Sequence, residues 1–439
     1  MTGGVLGVVS KKEKLASLIF DCLLGLQDRG QEYCGISTLS ESGIKIRTHR
    51  GLVRETLGGD LEGLEGEFGI GATSSIERQP LSIYSLSPKP KFTLAFDGYI
   101  TNASDLRGKI LGNNHAFATP SQVELLGHMI ASADSISNGL KLLLESIEGP
   151  CSLVLLSEEG IFAARDKAGF KPLVLGAKES KENSSYIIAS EPWFFSNNGF
   201  EIVRDVEPGE IVFISQKGIS SLGQLSAPLK ICNFEWIYYA NPNSVIEGGN
   251  VANVRHKLGA SLAKRDQELG ILREGFYVGP VPNSGICHAE GYALESKLPN
   301  VEIFLPLRYG LRTYIIPNTH QRITTKQRKL IPLVHNVNGR NIILVDDSIR
   351  SGITIRDLIE QLKESGAKSV HVRIASPPSV RYCPYAQPPQ KEEEFIAQYH
   401  TVDEIKNIIG ADTLIYQRIE DLCEAIGLPT SNLCLDCYR

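Results

Sequence analysis

The sequence predicts two units of different class, mixed α+β to about residue 225 and α/β from there on. Three observations carry this reading. Between Leu6 and Leu222, short apolar runs of strand length are punctuated by Gly, Pro, Asn and Ser, with helical stretches between them. From about Asn250 the pattern becomes strand, loop and helix in repetition, and its strands are rich in Ile and Val, as parallel strands covered on both faces are. The 439 residues exceed one ordinary domain of roughly 100–200 residues, and Ser226 to Gly249 gathers Pro, Asn and Gly where the two patterns meet. The expected units are 1–225 and 226–439.

In the first unit, Leu15 to Leu26 carries apolar residues at helical spacing and is a predicted helix. Phe92-Thr93-Leu94-Ala95-Phe96 and Cys151-Ser152-Leu153-Val154-Leu155-Leu156 are predicted strands. Val123 to Ile130 is helical again, with Ser121 as N-cap and Glu124 three residues on closing a capping box. An aromatic strand is expected within Ser226 to Gly249. In the second unit, strands are expected at Gly275 to Pro282, Asn341 to Val345 and Ser369 to Ile374, and helices at Ile353 to Glu364 and Ile415 to Ile426.

Composition narrows the class of partner. The mix of 42 % hydrophobic and 22 % charged residues is that of a globular protein with a sizeable core, not of a disordered or collagen-like chain. With 45 Lys+Arg against 50 Asp+Glu, the net charge of −5 argues against a phosphate backbone as main partner. There is no basic helix-turn-helix segment either, so nucleic acid is not an expected ligand. No run of about 18 apolar residues exists and the first residues lack a basic leader, so a cytoplasmic protein without membrane attachment is expected. In that compartment the nine cysteines read as buried thiols or metal ligands rather than disulfides.

The sharpest local signal is Ile342-Ile343-Leu344-Val345-Asp346-Asp347-Ser348-Ile349-Arg350-Ser351-Gly352-Ile353-Thr354. An apolar strand runs into paired acids, a hydroxyl- and Gly-rich turn, and a helix. Such a turn points backbone amides and a helix N-terminal dipole at a phosphate. Two carboxylates at the strand's end can hold ribose hydroxyls and a magnesium ion beside it. Capping of the helix would explain the serine, but not two acids after an Ile/Leu/Val run. A second loop, Gly279-Pro280-Val281-Pro282-Asn283-Ser284-Gly285, follows a strand and precedes a helix, so its amides suit a second anionic group such as pyrophosphate; Pro-Asn-Ser-Gly is also ordinary turn chemistry.

With these two loops the chain resembles the type I phosphoribosyltransferases, and the remaining segments narrow the resemblance to the glutamine phosphoribosylpyrophosphate amidotransferases. They are Gly4-Val5-Leu6-Gly7, Leu26-Gln27-Asp28-Arg29-Gly30-Gln31-Glu32, Ala163-Ala164-Arg165-Asp166 and Asp205-Val206-Glu207-Pro208-Gly209-Glu210. Further on come Cys232-Asn233-Phe234-Glu235, Arg308-Tyr309, Arg312-Thr313 and Arg373-Ile374-Ala375-Ser376-Pro377-Pro378. The resemblance implies a glutaminase-like αββα sandwich of the N-terminal-nucleophile fold over 1–225. It implies an α/β type I phosphoribosyltransferase domain over 226–439, with a hood over its site. In such enzymes ammonia from glutamine attacks C1 of phosphoribosyl pyrophosphate, giving 5-phosphoribosylamine and pyrophosphate in the first step of purine synthesis. The match assigns Ser284, Asp346 and Asp347 to magnesium and the ribose diphosphate. Asn283, Ser284 and Gly285 fall in the pyrophosphate loop and Arg350, Ser351, Gly352, Ile353 and Thr354 in the 5′-phosphate loop, with Ser348 counted among the substrate-binding residues.

The glutaminase positions depart from the family. Gly3 aligns with its nucleophilic cysteine, and Thr2 lies one position early. The Arg-Tyr pair that grips the substrate carboxylate reads Ser74-Ser75. The His-Asn-Gly-Asn segment, whose asparagine helps form the oxyanion hole, reads Phe96-Asp97-Gly98-Tyr99, and the Ser-Asp pair for the amino group reads Ser121-Gln122. A carboxylate repels the developing oxyanion, and loss of even one donor costs about 3–4 kcal/mol. The transferase half departs less: Asn283 replaces an aspartate, and Pro306-Leu307 replaces the hood's Lys-Asn, although Arg322, Lys326, Arg328 and Lys329 keep that loop basic.

Cys434-x-x-Cys437 has metal-ligand spacing but supplies only two ligands. In the iron–sulfur subclass that the chain resembles, the other two fall at Cys232 and Cys383, which implies a [4Fe–4S] cluster; zinc or unligated thiols are the alternatives. The expected function is a phosphoribosyltransferase using ammonia without its own glutaminase, as a homo-oligomer or in a hetero-oligomer with a glutaminase-bearing paralogue, and inhibited by purine nucleotides. The alternative is a non-catalytic regulatory subunit of such a paralogue. His288, beside the pyrophosphate loop, is expected to be a helix residue rather than a catalytic one.

Overall fold

The computed structural model describes residues 3–11, 14–75, 81–84, 91–111, 116–180, 184–225, 227–306, 330–386 and 395–439. Thr2 and the hood positions Leu307, Arg308, Tyr309, Arg312, Thr313, Arg322, Lys326, Arg328 and Lys329 lie outside the described residues. Strands β1 (Gly3–Val9), β2 (Tyr33–Ser40), β3 (Gly43–Arg50), β4 (Phe68–Ser74), β5 (Leu81–Tyr84), β6 (Phe92–Gly98) and β7 (Cys151–Ser157) open the chain. Strands β8 (Gly160–Arg165), β9 (Val174–Lys178), β10 (Ser185–Ala189), β11 (Glu201–Asp205), β12 (Glu210–Ser215) and β13 (Gly218–Gln224) follow. They form a seven-stranded sheet, β11-β9-β10-β1-β4-β2-β3, and a six-stranded sheet, β13-β12-β8-β7-β6-β5.

Alternation along the strands decides how the sheets stack. Val5 and Val9 of β1 and Val154 and Leu156 of β7 pack together between the sheets. Leu6 and Val8 point the other way, onto Ile19, Leu23 and Leu26 of helix α1 (Leu15–Leu26). Leu153 and Leu155 pack on α2 (Ala103–Leu111), α3 (Gln122–Ser132) and α4 (Ile136–Ser146). The result is the αββα sandwich. The predicted bounds of α1 hold. Ser121 caps α3 by accepting from the Val123 amide at 3.0 Å, but the capping box is not closed as expected. Glu124 instead accepts from the amides of Ala118 and Thr119, at 2.6 and 2.7 Å, because the preceding loop folds back over it.

The expected aromatic strand is instead a two-residue strand, β14 (Ile231–Cys232), followed by a π-helical turn at Glu235–Tyr239. Beyond it come α5 (Val251–Glu268), β15 (Phe276–Pro280), α6 (Ile286–Ser296), β16 (Asn341–Asp346), α7 (Ile353–Glu364) and β17 (Ser369–Ile374). The chain closes with α8 (Val402–Ile409), β18 (Thr413–Tyr416), α9 (Ile419–Ile426) and β19 (Leu433–Cys434). The parallel sheet β15-β16-β17-β18 is covered on both faces, as its apolar strands require. Ile342 and Leu344 face α7 and α8, while Ile343 and Val345 face α5 and α6. The expected helix over Ile415 to Ile426 is shorter: Leu414, Ile415 and Tyr416 pair with β17 as the edge strand, and α9 starts only after Arg418. No helix among the described residues is long and apolar enough to cross a membrane.

Candidate functional site

Two strand-to-helix corners lie side by side at the carboxyl ends of paired β15 and β16. This is where an open parallel sheet presents its loops to a ligand. After β16, Asp346 and Asp347 are 8 % and 6 % exposed. Burial, with the Asp347 carboxylate next to it, holds the Asp346 carboxyl well above the usual carboxylate range, and burial raises Asp347 as well. From the neighbouring corner, Ser284 donates its hydroxyl to Asp346 Oδ1 at 3.4 Å. Ser284, Asp346 and Asp347 therefore form an all-oxygen donor set, which fits a hard cation such as magnesium. The Pro282–Asn283 peptide of that corner is cis.

Asp346 and Asp347 are anchored by their carbonyls, which accept from the amides of Ala375 and Ser376, both at 2.9 Å. Past Ser348, the turn places Gly352 at the start of α7 with φ +79°, a left-handed conformation that side chains rarely adopt. Arg350, Ser351, Ile353 and Thr354 are exposed around it. The Arg350 guanidinium lies 5.4 Å from the Phe395 ring centroid, and its carbonyl accepts from the Ile396 amide at 2.9 Å. The α7 N-terminus, its leading turn and the paired acids lie along one edge, with backbone amides and carboxylates of the kind that suit a sugar phosphate.

The four singled-out cysteines converge. Cys232 of β14 pairs in parallel register with Cys434 of β19, and the Val380 amide donates to the Cys437 carbonyl at 2.9 Å, bringing in the Cys383 segment. Burial raises all four thiols, Cys434 to about 11 and Cys437 to about 12, and neighbouring sulfurs add to the shifts of Cys232, Cys434 and Cys437. Among the described residues, no three of these sulfurs lie within 4.8 Å of one another. A single tetrahedral zinc with bonds of about 2.3 Å would hold them roughly 3.8 Å apart. Four thiols brought together from β14, the Cys383 segment, β19 and the residues after it make an all-sulfur donor set of the kind that zinc and iron–sulfur clusters take.

At the first strand, β1 and β4 pair Gly3 with Ser74, and a Cβ on Gly3 would stand 2.2 Å from the Thr73 carbonyl oxygen. The Gly3 amide donates to Asp97 Oδ1 at 3.2 Å. Asp97, fully buried, faces Arg29 at 3.7 Å and Lys171 at 3.6 Å. Arg29 also pairs with Glu191 at 2.6 Å and Glu235 at 2.9 Å, and Lys171 lies 3.8 Å from Glu235. Burial alone would lower Arg29, but Glu235, Glu191 and Asp97 together hold it well above its ordinary value. Ser121 is spent on capping α3, and Gln122 grips the Ile100 backbone, accepting from its amide at 2.8 Å and donating to its carbonyl at 3.1 Å.

A family model described as a glutamine amidotransferase domain matches residues 69–197. The amidophosphoribosyltransferase of Methanothermobacter thermautotrophicus is 36 % identical, over 99 % of this chain and 93 % of its own length. That of Bacillus subtilis is 33 % identical over 99 % of this chain and 92 % of its own. The chain belongs to the amidophosphoribosyltransferase family. A solved structure of glutamine phosphoribosylpyrophosphate amidotransferase from B. subtilis, complexed with ADP and GMP, superposes with a TM-score of 0.90 at 31 % identity, covering 99 % of this chain and 96 % of that one. The fold is accordingly that of the family, a glutaminase-type domain followed by a phosphoribosyltransferase domain.

Within this family fold, sequence reasoning placed the paired acids and the cysteines but missed the ion cluster. Arg29 stood inside a quoted family segment without a role, and its partners are 162 and 206 residues away along the chain. His288 is a fully buried residue of α6 whose ring nitrogens face the carbonyls of Arg255 and Ile237 at 3.2 and 3.1 Å. Burial pushes it down to about 3, so it stays neutral and pins α6 to the π-helical turn.

Proposed function

We propose that this chain is a phosphoribosylpyrophosphate-dependent transferase that accepts ammonia and has no glutaminase activity of its own. The division is read as 1–225, a glutaminase-like scaffold, and 226–439, the transferase. The lone pair of ammonia attacks C1 of phosphoribosyl pyrophosphate as the C1–O bond to pyrophosphate breaks. One proton leaves to solvent, giving 5-phosphoribosylamine and pyrophosphate. Magnesium held by Ser284, Asp346 and Asp347 would neutralise charge building on the departing pyrophosphate. Asn283, Ser284 and Gly285 orient that leaving group, Asp346 and Asp347 hold the ribose, and the turn from Ser348 through Arg350 to Thr354 fixes the 5′-phosphate. Fixing both ends of the sugar keeps C1 facing the nucleophile.

The observation that carries the loss of glutaminase is the contact between Gly3 and Asp97. Position 3 has no room for a side chain, and a carboxylate occupies the place where an oxyanion donor is needed. Ammonia then comes from solution or from a separate glutaminase-bearing paralogue in the same oligomer. Cys232, Cys383, Cys434 and Cys437 would hold a [4Fe–4S] cluster that staples the tail to β14. Purine nucleotides are the proposed inhibitors, a reading supported by the ADP and GMP in the Bacillus structure.

The test supplies the pure chain with phosphoribosyl pyrophosphate and magnesium, and with ammonium or glutamine. Pyrophosphate release is expected with ammonium, and no glutamate is expected from glutamine. Glutamate turnover at the rate of competent relatives would overturn the glutaminase half, and silence with both nitrogen sources would point to a non-catalytic subunit. Asp346→Asn with Asp347→Asn should lower the ammonium-dependent rate by at least about 100-fold, the scale on which lost electrostatic stabilisation acts.

A further inference from the structure

Apart from the four-cysteine set and the paired acids, a third group of ligating side chains meets where α5 crosses α6. His256 of α5 and Cys287 and Glu290 of α6 bring one ligand atom each to within 4.8 Å of the other two. Cys287 and Glu290 are three residues apart and share one face of α6. His256 Nε2 and Glu290 Oε2 are already 3.1 Å apart. The helices that carry them touch through their backbones. A Cβ on Gly259 would lie 1.9 Å from the His288 carbonyl oxygen, and one on Gly291 would lie 2.0 Å from that of His256. The frame holding the three ligands is therefore fixed without a metal, and only side-chain rotations remain.

We infer that His256, Cys287 and Glu290 form a three-ligand site for a borderline divalent cation, zinc. Thiolate and imidazole together favour zinc over magnesium or calcium, which prefer all-oxygen sets. Tetrahedral bonds of 2.0–2.3 Å put ligand atoms roughly 3.3–3.8 Å apart, so rotation of the side chains by about 1 Å closes the set. The side chains of His256 and Glu290 are 38 % and 46 % exposed, which leaves the fourth position to water. Binding displaces the thiol proton of Cys287, which is released to solvent. Burial raises the Cys287 thiol, with the Arg255 guanidinium pulling the other way, so the thiolate forms with the metal. Cys287 comes three residues after Ser284, so zinc here clamps α5 to α6 directly behind the proposed pyrophosphate loop.

The test is a titration of the full chain with zinc alone, in competition with a chromophoric chelator, for the wild type, Cys287→Ser and Glu290→Gln. All three proteins keep Cys232, Cys383, Cys434 and Cys437, so zinc taken by those thiols is common and cancels in the difference. The wild type should bind one equivalent that both variants lose or hold more than about 100-fold more weakly, beyond the 10–100-fold that outer-shell changes cost. Equal stoichiometry and affinity in the wild type and the folded variants would overturn the site. Circular dichroism identifies folded variants, and His256→Gln replaces either one that does not fold.

Discussion

Asp205, at the end of β11, offers a pH test of the seam between β11 and the segment before α5. Burial, together with the nearby Glu247 carboxylate, pushes its carboxyl up to about 6, despite Arg165. Arg165 itself is fully buried and pairs with Glu247 at 2.7 Å. The folded state thus binds the Asp205 proton more tightly than the unfolded chain, whose aspartates titrate near 3.9. Below about pH 4 both states are protonated and the group is neutral in its effect. As pH rises to about 6, the unfolded chain gives up its proton first and stability falls, with no further change above. Two units correspond to about 3 kcal/mol at 1.36 kcal/mol per unit. Asp205→Asn removes the titration, so reversible urea unfolding of variant and wild type should diverge in the variant's favour by about 3 kcal/mol between pH 4 and pH 7. Taking the difference cancels the other carboxylates. A difference that stays flat across this window would refute the placement of Asp205 beside Glu247.

Two further perturbations probe the other buried groups. Arg29→Ala removes the cation that Asp97, Glu191 and Glu235 share, leaving Lys171 beside Asp97 and Glu235, and should cost about 3–5 kcal/mol in urea unfolding, as removal of one partner from a buried ion cluster does; a loss below about 1 kcal/mol would contradict the cluster. Cys434→Ser should lower the iron and inorganic sulfide of anaerobically purified protein to background and abolish its visible absorption. Unchanged iron content would show that the four cysteines do not hold the cluster.

What the sequence made legible follows from how local each signal is. The transferase sheet could be read because Ile342 to Val345 is buried on both faces, which writes a continuous apolar run, and because Asp346 and Asp347 break it abruptly. Leu15–Leu26 could be read because one helical face meets one core. Leu414-Ile415-Tyr416 could not, since three apolar residues carry no period, and only pairing with β17 makes them a strand. The segment at Glu235–Tyr239 looked like a strand because its aromatic residues favour strands, yet Arg255 fixes the turn by donating to the carbonyls of Trp236 and Ala240, both at 2.7 Å. The cluster around Arg29 and the His256, Cys287 and Glu290 triad join residues from distant segments, and no local pattern announces them.

Residues 231 to 240 tie the two halves of the chain together. Cys232 belongs to the four-cysteine set, and Asn233 donates to the Cys434 carbonyl at 2.7 Å. Glu235 binds Arg29, while the Ile237 carbonyl faces His288 of α6, behind the Gly279 to Gly285 loop. Ten residues thus contact the tail, the Arg29 ion cluster and the helices of the second half at once. Asp97 completes this arrangement: an unpaired buried carboxylate would cost several kcal/mol, and Arg29, Lys171 and the Gly3 amide offset that cost. The Gly3 amide and Asp97 thus hold each other, and a side chain at position 3 would meet the Thr73 carbonyl oxygen. These contacts join β1 to the turn that supports the transferase helices, and deleting residues 1–225 would expose Glu235 without Arg29 and Lys171.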